Sequence, residues 1–468
     1  MNNFDKIQAR EAGLHKKLSA KQMAMIAIGG AIGTGLFMGS KFAISFAGPA
    51  VILSYAIGGL IAFALMACLA EMTVQHPTSG SFGAYAEHYI SPLAGFLVRY
   101  SYWACIVLAV GTEITAVADY MKMWFPHLPA WIWIVFFSGT LLAVNAYSVK
   151  AFGLVEYWFS TIKVFAIIVF ILLGIGILTQ NSQESSNVVS NLTGHGGFFP
   201  NGFSGVWIGV IISIFSYLSI EMIAVAAGEA SNPEKAVKYA FKSTALRLIL
   251  FYLLSLSLIV ALVPWTELIG KEATSPFVTV MKLVGIPYAD SILNFIVIVA
   301  ALSAMNSMLY ISTRMLFSLS RAGDAPKIFG KIRQNGVPMN ALFLSAMGIG
   351  VASVVYTINP ESAFPIMIAL SMFGALFTWG CIFVTHIFFR RNMRKNGTVL
   401  KFKIPASRLI SLFGLLSILS ITLTTWFTYE FKSTLQFGIP FILVLMVFYA
   451  LKRSSAKLDL TTDTKASE

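Results

Sequence analysis

Long apolar stretches separated by short polar segments run along almost the whole chain. Each stretch approaches the roughly 20 residues that an α-helix needs to cross a bilayer, and none shows the alternating pattern of a transmembrane strand. Gly48-Pro49 and Pro264 mark two of the boundaries. We therefore predict an all-α integral membrane protein with twelve transmembrane helices, at approximately 23–47, 50–74, 95–120, 129–148, 155–178, 205–228, 244–264, 289–313, 340–359, 364–389, 409–429 and 436–452.

Composition and charge agree with a membrane protein. Hydrophobic residues make up 57% of the chain and charged residues only 11%, whereas soluble domains carry roughly 25% charged residues. If the amino terminus is cytoplasmic, nearly all 33 Lys and Arg residues fall on the inner side, so the net charge of +13 reflects topology and not a nucleic-acid partner. We expect a multi-pass protein of the cell (plasma) membrane with both termini cytoplasmic. The exceptions are Lys163 inside a span and the outer residues Lys41, Lys122, Lys271, Lys282 and Lys432.

The stretch GGAIGTG at residues 29–35 weakens the first apolar segment at its middle. It does not fit the dinucleotide fingerprint G-x-G-x-x-G, because the glycines stand in another order and no strand precedes them. Two interpretations remain. The glycines allow close helix packing, or Gly30 to Gly35 unwind beside a polar cavity that makes bare amide groups tolerable at membrane depth.

The sixth span has a matching irregularity. Residues 215–221, FSYLSIE, put three hydroxyl groups and a carboxyl group into an otherwise apolar segment. Transporters built from inverted repeats carry broken helices at corresponding positions in their two halves. A five-plus-five inverted repeat with broken helices 1 and 6 and two extra helices accounts for twelve spans. The expected divisions are a tail at 1–20, the first repeat at 21–180, the second repeat at 200–390, two helices at 405–453 and a tail at 454–468.

Four motifs carry a resemblance to a known family. They are GGAIGTGLF from Gly29, AEM at Ala70 with PTSGSFGAYAE after it, FSYLSIEMIAVAAGEASNP from Phe215, and NSMLYISTRMLFSLSRAGDAP from Asn306. In this order, over roughly residues 15–450, the chain resembles the bacterial amino acid permeases of the amino acid, polyamine and organocation (APC) superfamily. The resemblance implies the fold first associated with a leucine transporter, with substrate held at the two breaks. Ser219 departs from the pattern, which usually has Gly there.

An amino acid is a zwitterion, so its site needs donors for the carboxylate and acceptors for the ammonium group. The amides of residues 33–35 would present a positive helix end to the carboxylate. Carbonyls of residues 28–29 and of the end of the first half of span six would accept from the ammonium group. The candidate substrate-binding residues are Ile28, Gly29, Gly33, Thr34, Gly35, Phe215, Ser216, Leu218 and Ser219.

Lys163 is the clearest candidate for coupling transport to protons. It lies eleven residues into its helix, roughly 16 Å deep, and the resemblance matches it to a lysine that takes the place of a sodium ion between spans one, five and eight. Protonated, it would bind carbonyls near the first break and hydroxyls such as Ser303; a permanently charged strut is the alternative. Glu221 is either a proton site, a tether or a neutral hydrogen-bonded acid, and Glu113 has the same readings and is a possible pocket residue.

The sequence therefore predicts a secondary active amino acid permease, and not an enzyme, that imports a neutral α-amino acid by proton symport. An obligate exchanger is the alternative within transporters; a channel would need a continuous polar stripe, and a membrane enzyme would need a nucleophile with its base. No cofactor and no metal are expected, since the three cysteines and six histidines lack ligand spacing. Expected partners are the substrate, protons and membrane lipids, with the chain a monomer or homodimer. Residues 75–92 resemble a cytoplasmic helical loop, with an ordinary surface loop as the alternative.

Overall fold

The computed structural model describes residues 3–10, 19–180, 182–269, 275–282, 287–360 and 362–465, without the side chains of residues 3, 20, 24, 26–29, 180, 182–186, 242–248 and 455–465. The regular elements in these ranges are all helical. They are α1 (Asn3–Arg10), α2 (Ala20–Ala31), α3 (Thr34–Phe37), α4 (Gly39–Ala47), α5 (Val51–Gln75), α6 (Ser81–Tyr89), α7 (Pro92–Met121), α8 (Ala130–Tyr147), α9 (Val149–Gln180), α10 (Ser182–Thr193), α11 (Gly202–Tyr217), α12 (Met222–Ala226), α13 (Pro233–Leu262), α14 (Trp265–Leu268), α15 (Pro276–Lys282), α16 (Ala289–Arg321), α17 (Met339–Ser345), α18 (Met347–Ile358), α19 (Ala363–Lys395), α20 (Ser407–Phe427) and α21 (Lys432–Lys465), with four short 3-10 turns.

Ten helical stretches in the described part of the chain are long and apolar enough to cross a membrane. The all-helical membrane fold is therefore confirmed, but the count of twelve spans is not. The difference arises at two places. The outer part of the first predicted span continues into the second as Thr34–Gln75, and the seventh is represented by the shorter apolar helix Ile249–Leu262.

The first predicted span is broken, as expected, but the break is narrower than predicted. Only Ile32 and Gly33 leave the helical conformation between α2 and α3, and Met38 forms a turn before α4. Gly30 stays inside α2, and Gly35 stays inside α3. The prediction that Gly30 to Gly35 unwind as a unit is wrong because most of these glycines serve packing, as the site geometry shows below.

The sixth predicted span is also broken. Helix α11 ends at Tyr217, and α12 begins at Met222. Between them Ser219 adopts a left-handed backbone conformation with φ of 77°. Non-glycine residues rarely occupy this region, so a serine here lies in a turn where glycine would be less strained.

The two breaks lie against the long central helices. Helix α7 packs along both α16 and α19, and α2 packs against α9, α13 and α16. Helices α4 and α5 pack against α11, which brings the first and second breaks together. Helices α20 and α21 pack on α19 and leave many apolar side chains exposed, among them Leu416, Leu423 and Val444. These two helices therefore form the outer, lipid-facing layer of the bundle.

The segment 75–92 contains the short helix α6 (Ser81–Tyr89), which is largely buried, and is not an ordinary surface loop. Residues Ser81–Ala86 of α6 are buried, and Glu87 accepts hydrogen bonds from Arg10 of α1 and Arg99 of α7. Burial opposes ionisation of Glu87, but the two arginines outweigh it and hold the pKa of this carboxyl below its usual range. The segment thus ties the amino-terminal helix to the bundle.

Candidate substrate and coupling site

Side chains from other helices occupy the polar backbone groups at the first break. The Ile32 carbonyl accepts a hydrogen bond from Lys163 Nζ at 2.9 Å. The Ala31 carbonyl accepts one from Tyr252 Oη at 2.6 Å, and the Gly35 carbonyl accepts one from Ser216 Oγ at 2.6 Å. A helix break leaves such groups without helical partners. The Ala31 carbonyl also accepts from the Gly33 amide at 3.1 Å, and the Gly35 carbonyl from Tyr55 Oη at 3.3 Å, so the contact with Lys163 is the one that the Ile32 carbonyl depends on.

Glu113 lies at the start of α3, where the substrate carboxylate was expected. Its Oε2 atom accepts a hydrogen bond from the Thr34 amide at 3.2 Å. A Cβ atom on Gly33 would lie only 2.9 Å from Glu113 Oε1. The site geometry therefore places a carboxylate of the protein itself at this amide, in the position predicted for a ligand.

The glycines of the first span lie where other segments of the same chain approach closely. A Cβ atom on Gly35 would lie 2.6 Å from the Ser216 backbone, and one on Gly33 would lie 2.7 Å from Ala304 Cβ. A Cβ atom on Gly30 would lie 2.6 Å from Met222 Sδ. Gly33 has an extended backbone with φ of −130°, so it needs glycine for space and not for its conformation. Close packing and a helix break are thus both present.

The second break satisfies most of its backbone groups locally. Amides donate to carbonyls three residues earlier, from Leu218 to Phe215, from Ile220 to Tyr217 and from Met222 to Ser219. This pattern is that of tight 3-10 turns. The carbonyl of Phe215, predicted to face an ammonium group, therefore already accepts one backbone hydrogen bond.

Glu221 closes this turn with its side chain. Its Oε1 atom accepts hydrogen bonds from the Ser219 amide at 3.2 Å and from Tyr102 Oη at 2.6 Å. Its Oε2 atom and the Ser219 hydroxyl are buried and have no hydrogen-bond partner among the described residues. The unpaired polar atoms of the second break thus belong to side chains.

Two tyrosines from other helices touch both breaks. The hydroxyl of Tyr55 on α5 lies 3.3 Å from the Gly35 carbonyl and 2.9 Å from Ser216 Oγ. The hydroxyl of Tyr252 on α13 lies 2.6 Å from the Ala31 carbonyl and 2.9 Å from the Ser216 carbonyl. A phenol has one proton, so it donates to one of the two carbonyls at a time. Tyr252 was not predicted, since nothing in an apolar span distinguishes a tyrosine that bonds to backbone from one that only packs.

Lys163 is fully buried, as predicted, but Ser303 is not its partner. The Ser303 hydroxyl donates to Glu156 Oε1 at 2.5 Å, and Asn306 Nδ2 donates to Glu156 Oε2 at 3.0 Å. Sequence reasoning missed Glu156 because it stands at the edge of the predicted span 155–178. Its spacing of seven residues from Lys163, which puts both on one helix face, was the available signal.

The predicted substrate-binding residues that the structure describes are brought together and closed off. Thr34, Ser216, Leu218 and Ser219 are each at most 2% exposed, and so is Glu221, which was predicted as a proton-coupling residue. Ile28 and Gly29 belong to α2, and their surroundings lie outside the described residues. No group of three His, Cys, Asp or Glu residues in the described ranges is arranged to hold a metal ion.

Two transport proteins are similar to this chain over almost its whole length. The aromatic amino acid transport protein AroP of Escherichia coli K12 is 37% identical over 448 residues, covering 95% of this chain and 97% of AroP. The probable threonine/serine transporter YbxG of Bacillus subtilis is 37% identical over 461 residues, covering 97% and 99%.

A solved structure shares the fold. The manganese transporter of Eremococcus coleocola, determined with an aromatic bis-isothiourea compound, matches with a TM-score of 0.55 and 13% identity, covering 96% of this chain and 94% of that chain. The family model described as amino acid permease matches residues 22–458. The chain therefore belongs to the amino acid permease family, whose members are transporters and not enzymes.

Proposed function

We propose that this amino acid transporter imports a neutral α-amino acid by proton symport through alternating access. The observation that carries the proposal is the first break, where a buried lysine and a buried carboxylate from two other helices hold the Ile32 carbonyl in the interruption and the Thr34 amide at the start of α3. Both contacts depend on charge, so a change of protonation or the arrival of a zwitterion would alter them.

The substrate carboxylate would replace Glu113 at the amides of residues 33–35. The closed site supports this exchange, because the Thr34 amide already holds a carboxylate there. The ammonium group would lie toward the carbonyls of residues 28–29, 215–216 and 218, with the unpaired Ser219 hydroxyl nearby. Near the breaks the acids Glu113 and Glu221 already accept hydrogen bonds, which favours a neutral substrate side chain.

Lys163 would carry the coupling proton. Its ammonium group donates to the Ile32 carbonyl, so it joins α9 to the first break. Loss of the proton removes the charge that strengthens this hydrogen bond. The break is then free to change its position relative to α9, which is the movement that alternating access requires. Glu221 is retained as a second candidate proton site.

The proposal also covers the membrane location, the topology, the oligomeric state and the contact with lipids. We place the protein in the cell membrane with both termini cytoplasmic, as a monomer or homodimer that contains two inverted repeats at 21–180 and 200–390. Contact with anionic membrane lipids is supported by a groove of about 1300 Å³ at the end of α19 and the start of α20. Its lining includes the basic residues Arg390, Arg391, Arg394, Lys395, Lys403 and Arg408.

The test is uptake of a panel of labelled amino acids into proteoliposomes, with and without an inward proton gradient. We expect at least one neutral amino acid to accumulate only with the gradient. Lys163→Ala should reduce this accumulation to simple equilibration, whereas Lys150→Ala, an exposed lysine at the start of the same helix, should behave as wild type. Unchanged gradient-driven accumulation in Lys163→Ala would reject the coupling role.

The exchanger alternative is separated in the same vesicles. If uptake occurs only when the lumen is loaded with amino acid, and a proton gradient drives none, the chain is an exchanger and the symport proposal fails.

A further inference from the structure

Glu156 is a buried acid that the proposed mechanism does not use. It lies on α9 seven residues before Lys163, so the two side chains leave the same face of the helix about 10 Å apart along its axis. Both residues have no exposed surface. An ionisable residue inside a membrane span is a functional candidate by default, and its partner has to be identified.

The hydrogen bonds around Glu156 give both of its oxygen atoms a donor, as an ionised carboxylate requires. Asn145 on α8 donates to the Leu141 carbonyl at 3.0 Å, which orients its amide group, and it also donates to Asn306 Oδ1 at 2.7 Å. Asn306 therefore turns its NH₂ group toward Glu156 Oε2, at 3.0 Å. The hydroxyl of Ser303 donates to Oε1 at 2.5 Å. Both oxygen atoms of Glu156 thus accept hydrogen bonds.

These donors are neutral, so they leave the negative charge without compensation. Helix α16 contributes the side chains of Ser303, Asn306 and Ser307 to the surroundings of Glu156. Helix α8 contributes Asn145, which does not contact Glu156 itself but hydrogen-bonds to Asn306. Toward α2 the contact runs through Ser160, whose hydroxyl lies 3.2 Å from Glu156 Oε1 and 2.9 Å from the Met25 carbonyl.

Lys163 is the fully buried cation that shares a face of α9 with Glu156, although no direct salt bridge joins the two side chains in the described structure. Lys163 in turn faces two acids, Glu156 on its own helix and Glu113 on α7. The arginine further along α16, Arg314, is already paired with Glu229. Within the described part of the bundle, Lys163 is therefore the cation placed to balance Glu156, in addition to its contact with the Ile32 carbonyl.

We propose that Glu156 is the counter-ion of Lys163, so that the coupling element is a buried lysine–carboxylate pair and not a single lysine. The inference rests on the proposed proton coupling. When Lys163 gives its proton to water on the open side, the pair changes from neutral to a net charge of −1. Glu156 opposes this step, since a lone buried carboxylate is strongly unfavourable. Glu156 thereby acts as a positioning residue that sets the pH at which Lys163 releases its proton.

The first test is the pH dependence of gradient-driven uptake in proteoliposomes. Glu156→Gln removes the charge but keeps the size, so the midpoint of the uptake profile should shift to lower pH by on the order of one unit, because the ammonium form of Lys163 loses its counter-ion. Glu156→Asp should restore the wild-type midpoint. Asn145→Ala, which disturbs the same network without changing its charge, should leave the midpoint in place. An unchanged midpoint in Glu156→Gln would overturn the inference.

The second test does not need transport. Thermal unfolding is measured for Lys163→Met, for Glu156→Gln and for the double variant. If the two residues form a pair, Lys163→Met leaves an unbalanced carboxylate, and adding Glu156→Gln should recover part of the lost melting temperature. Additive losses would contradict the pair. If wild type shows no gradient-driven uptake, the symport proposal fails, while this cycle still decides whether the pair exists.

Discussion

The two helix breaks pair their non-helical backbone groups in different ways. At the first break, the carbonyls of Ala31, Ile32 and Gly35 and the amide of Thr34 are paired with side chains from α13, α9, α11 and α7. At the second, the amides of residues 218, 220 and 222 donate to carbonyls three residues earlier in the same chain. The first break has local backbone bonds as well, from Gly33 to Ala31 and from Leu36 to Gly33, but its Ile32 carbonyl and Thr34 amide are paired by side chains of neighbouring helices, whereas the second break is closed mainly by its own backbone.

This difference suggests different roles in transport. A break whose partners come from several helices loses or gains hydrogen bonds when those helices move. Its hydrogen bonding is therefore coupled to the conformational change. A locally closed break keeps its shape during the same movement. We therefore expect the first break to carry the switching contacts and the second to act as a fixed surface with side-chain groups for the substrate.

The largest expected effect comes from removing the carboxylate at the first break. Glu113→Ala leaves the buried Thr34 amide unpaired, which costs about 1–3 kcal/mol in the free energy of unfolding. Glu113→Gln should lose less, because its amide oxygen still accepts the hydrogen bond. Thermal unfolding of the purified protein in detergent measures both.

The same pair of variants tests whether substrate takes this position. The transported amino acid should raise the melting temperature of Glu113→Ala more than that of wild type, because its carboxylate fills an empty acceptor position. Equal melting temperatures for Glu113→Ala and Glu113→Gln would contradict the assignment of Glu113 as the acceptor of the Thr34 amide. Equal stabilisation of Glu113→Ala and wild type by the amino acid would contradict the proposal that substrate takes the same position.

Tyr252→Phe should have a smaller effect that separates the two breaks. It removes the hydroxyl shared by Ala31 and Ser216 but keeps the ring, which packs on Tyr217 at a centroid distance of 4.8 Å. We expect a loss of about 1 kcal/mol. Hydrogen–deuterium exchange should accelerate at residues 32–35 more than at 218–222, since the second break has its own backbone bonds.

The matched control is Tyr239→Phe, at an exposed tyrosine on the same helix. It should change neither the free energy of unfolding nor the exchange rates at the two breaks. Equal acceleration at both breaks would remove the distinction between a dependent and a self-contained break.

The sequence predicted the breaks better than it predicted what holds them. Glycines in the first span and hydroxyls in the sixth are local signals, and both lie at the observed interruptions. The predicted first break is too wide because composition cannot distinguish Gly33, at the interruption, from Gly30 and Gly35, which allow close packing. Gly30 and Gly35 pack against the sixth predicted span, which lies nearly 200 residues away along the chain.

The partners of the first break could not be predicted for the same reason. Tyr252 and Glu113 are far from residues 31–34 along the chain. Tyr252 looks like an ordinary member of an apolar span, and Glu113 was a candidate pocket residue whose contact with the Thr34 amide the sequence did not indicate. The burial of Lys163 followed from its depth in the helix, but its acceptor at Ile32 required the position of the break. Glu156 could have been found from its seven-residue spacing to Lys163.

Ser219→Gly should have the smallest effect and the opposite sign. Ser219 has φ of 77°, a conformation that costs L-residues about 1–2 kcal/mol, and its buried hydroxyl has no partner among the described residues. Glycine removes both penalties, and the greater freedom of glycine in the unfolded chain offsets roughly 0.5–1 kcal/mol of the gain. From backbone strain and unfolded-chain entropy together we expect a rise in melting temperature corresponding to roughly 0–1.5 kcal/mol.

Ser219→Ala divides this gain into its two causes. It removes the hydroxyl but keeps the Cβ atom at positive φ, so its melting temperature should fall between those of wild type and Ser219→Gly. A glycine variant less stable than the alanine variant would mean that the turn is not strained. If the hydroxyl binds substrate, the KM for uptake should rise equally in both variants although both are more stable, because the contact they lose is made only by the bound amino acid. An unchanged KM would leave the second break a purely structural surface, with the substrate contacts confined to the first.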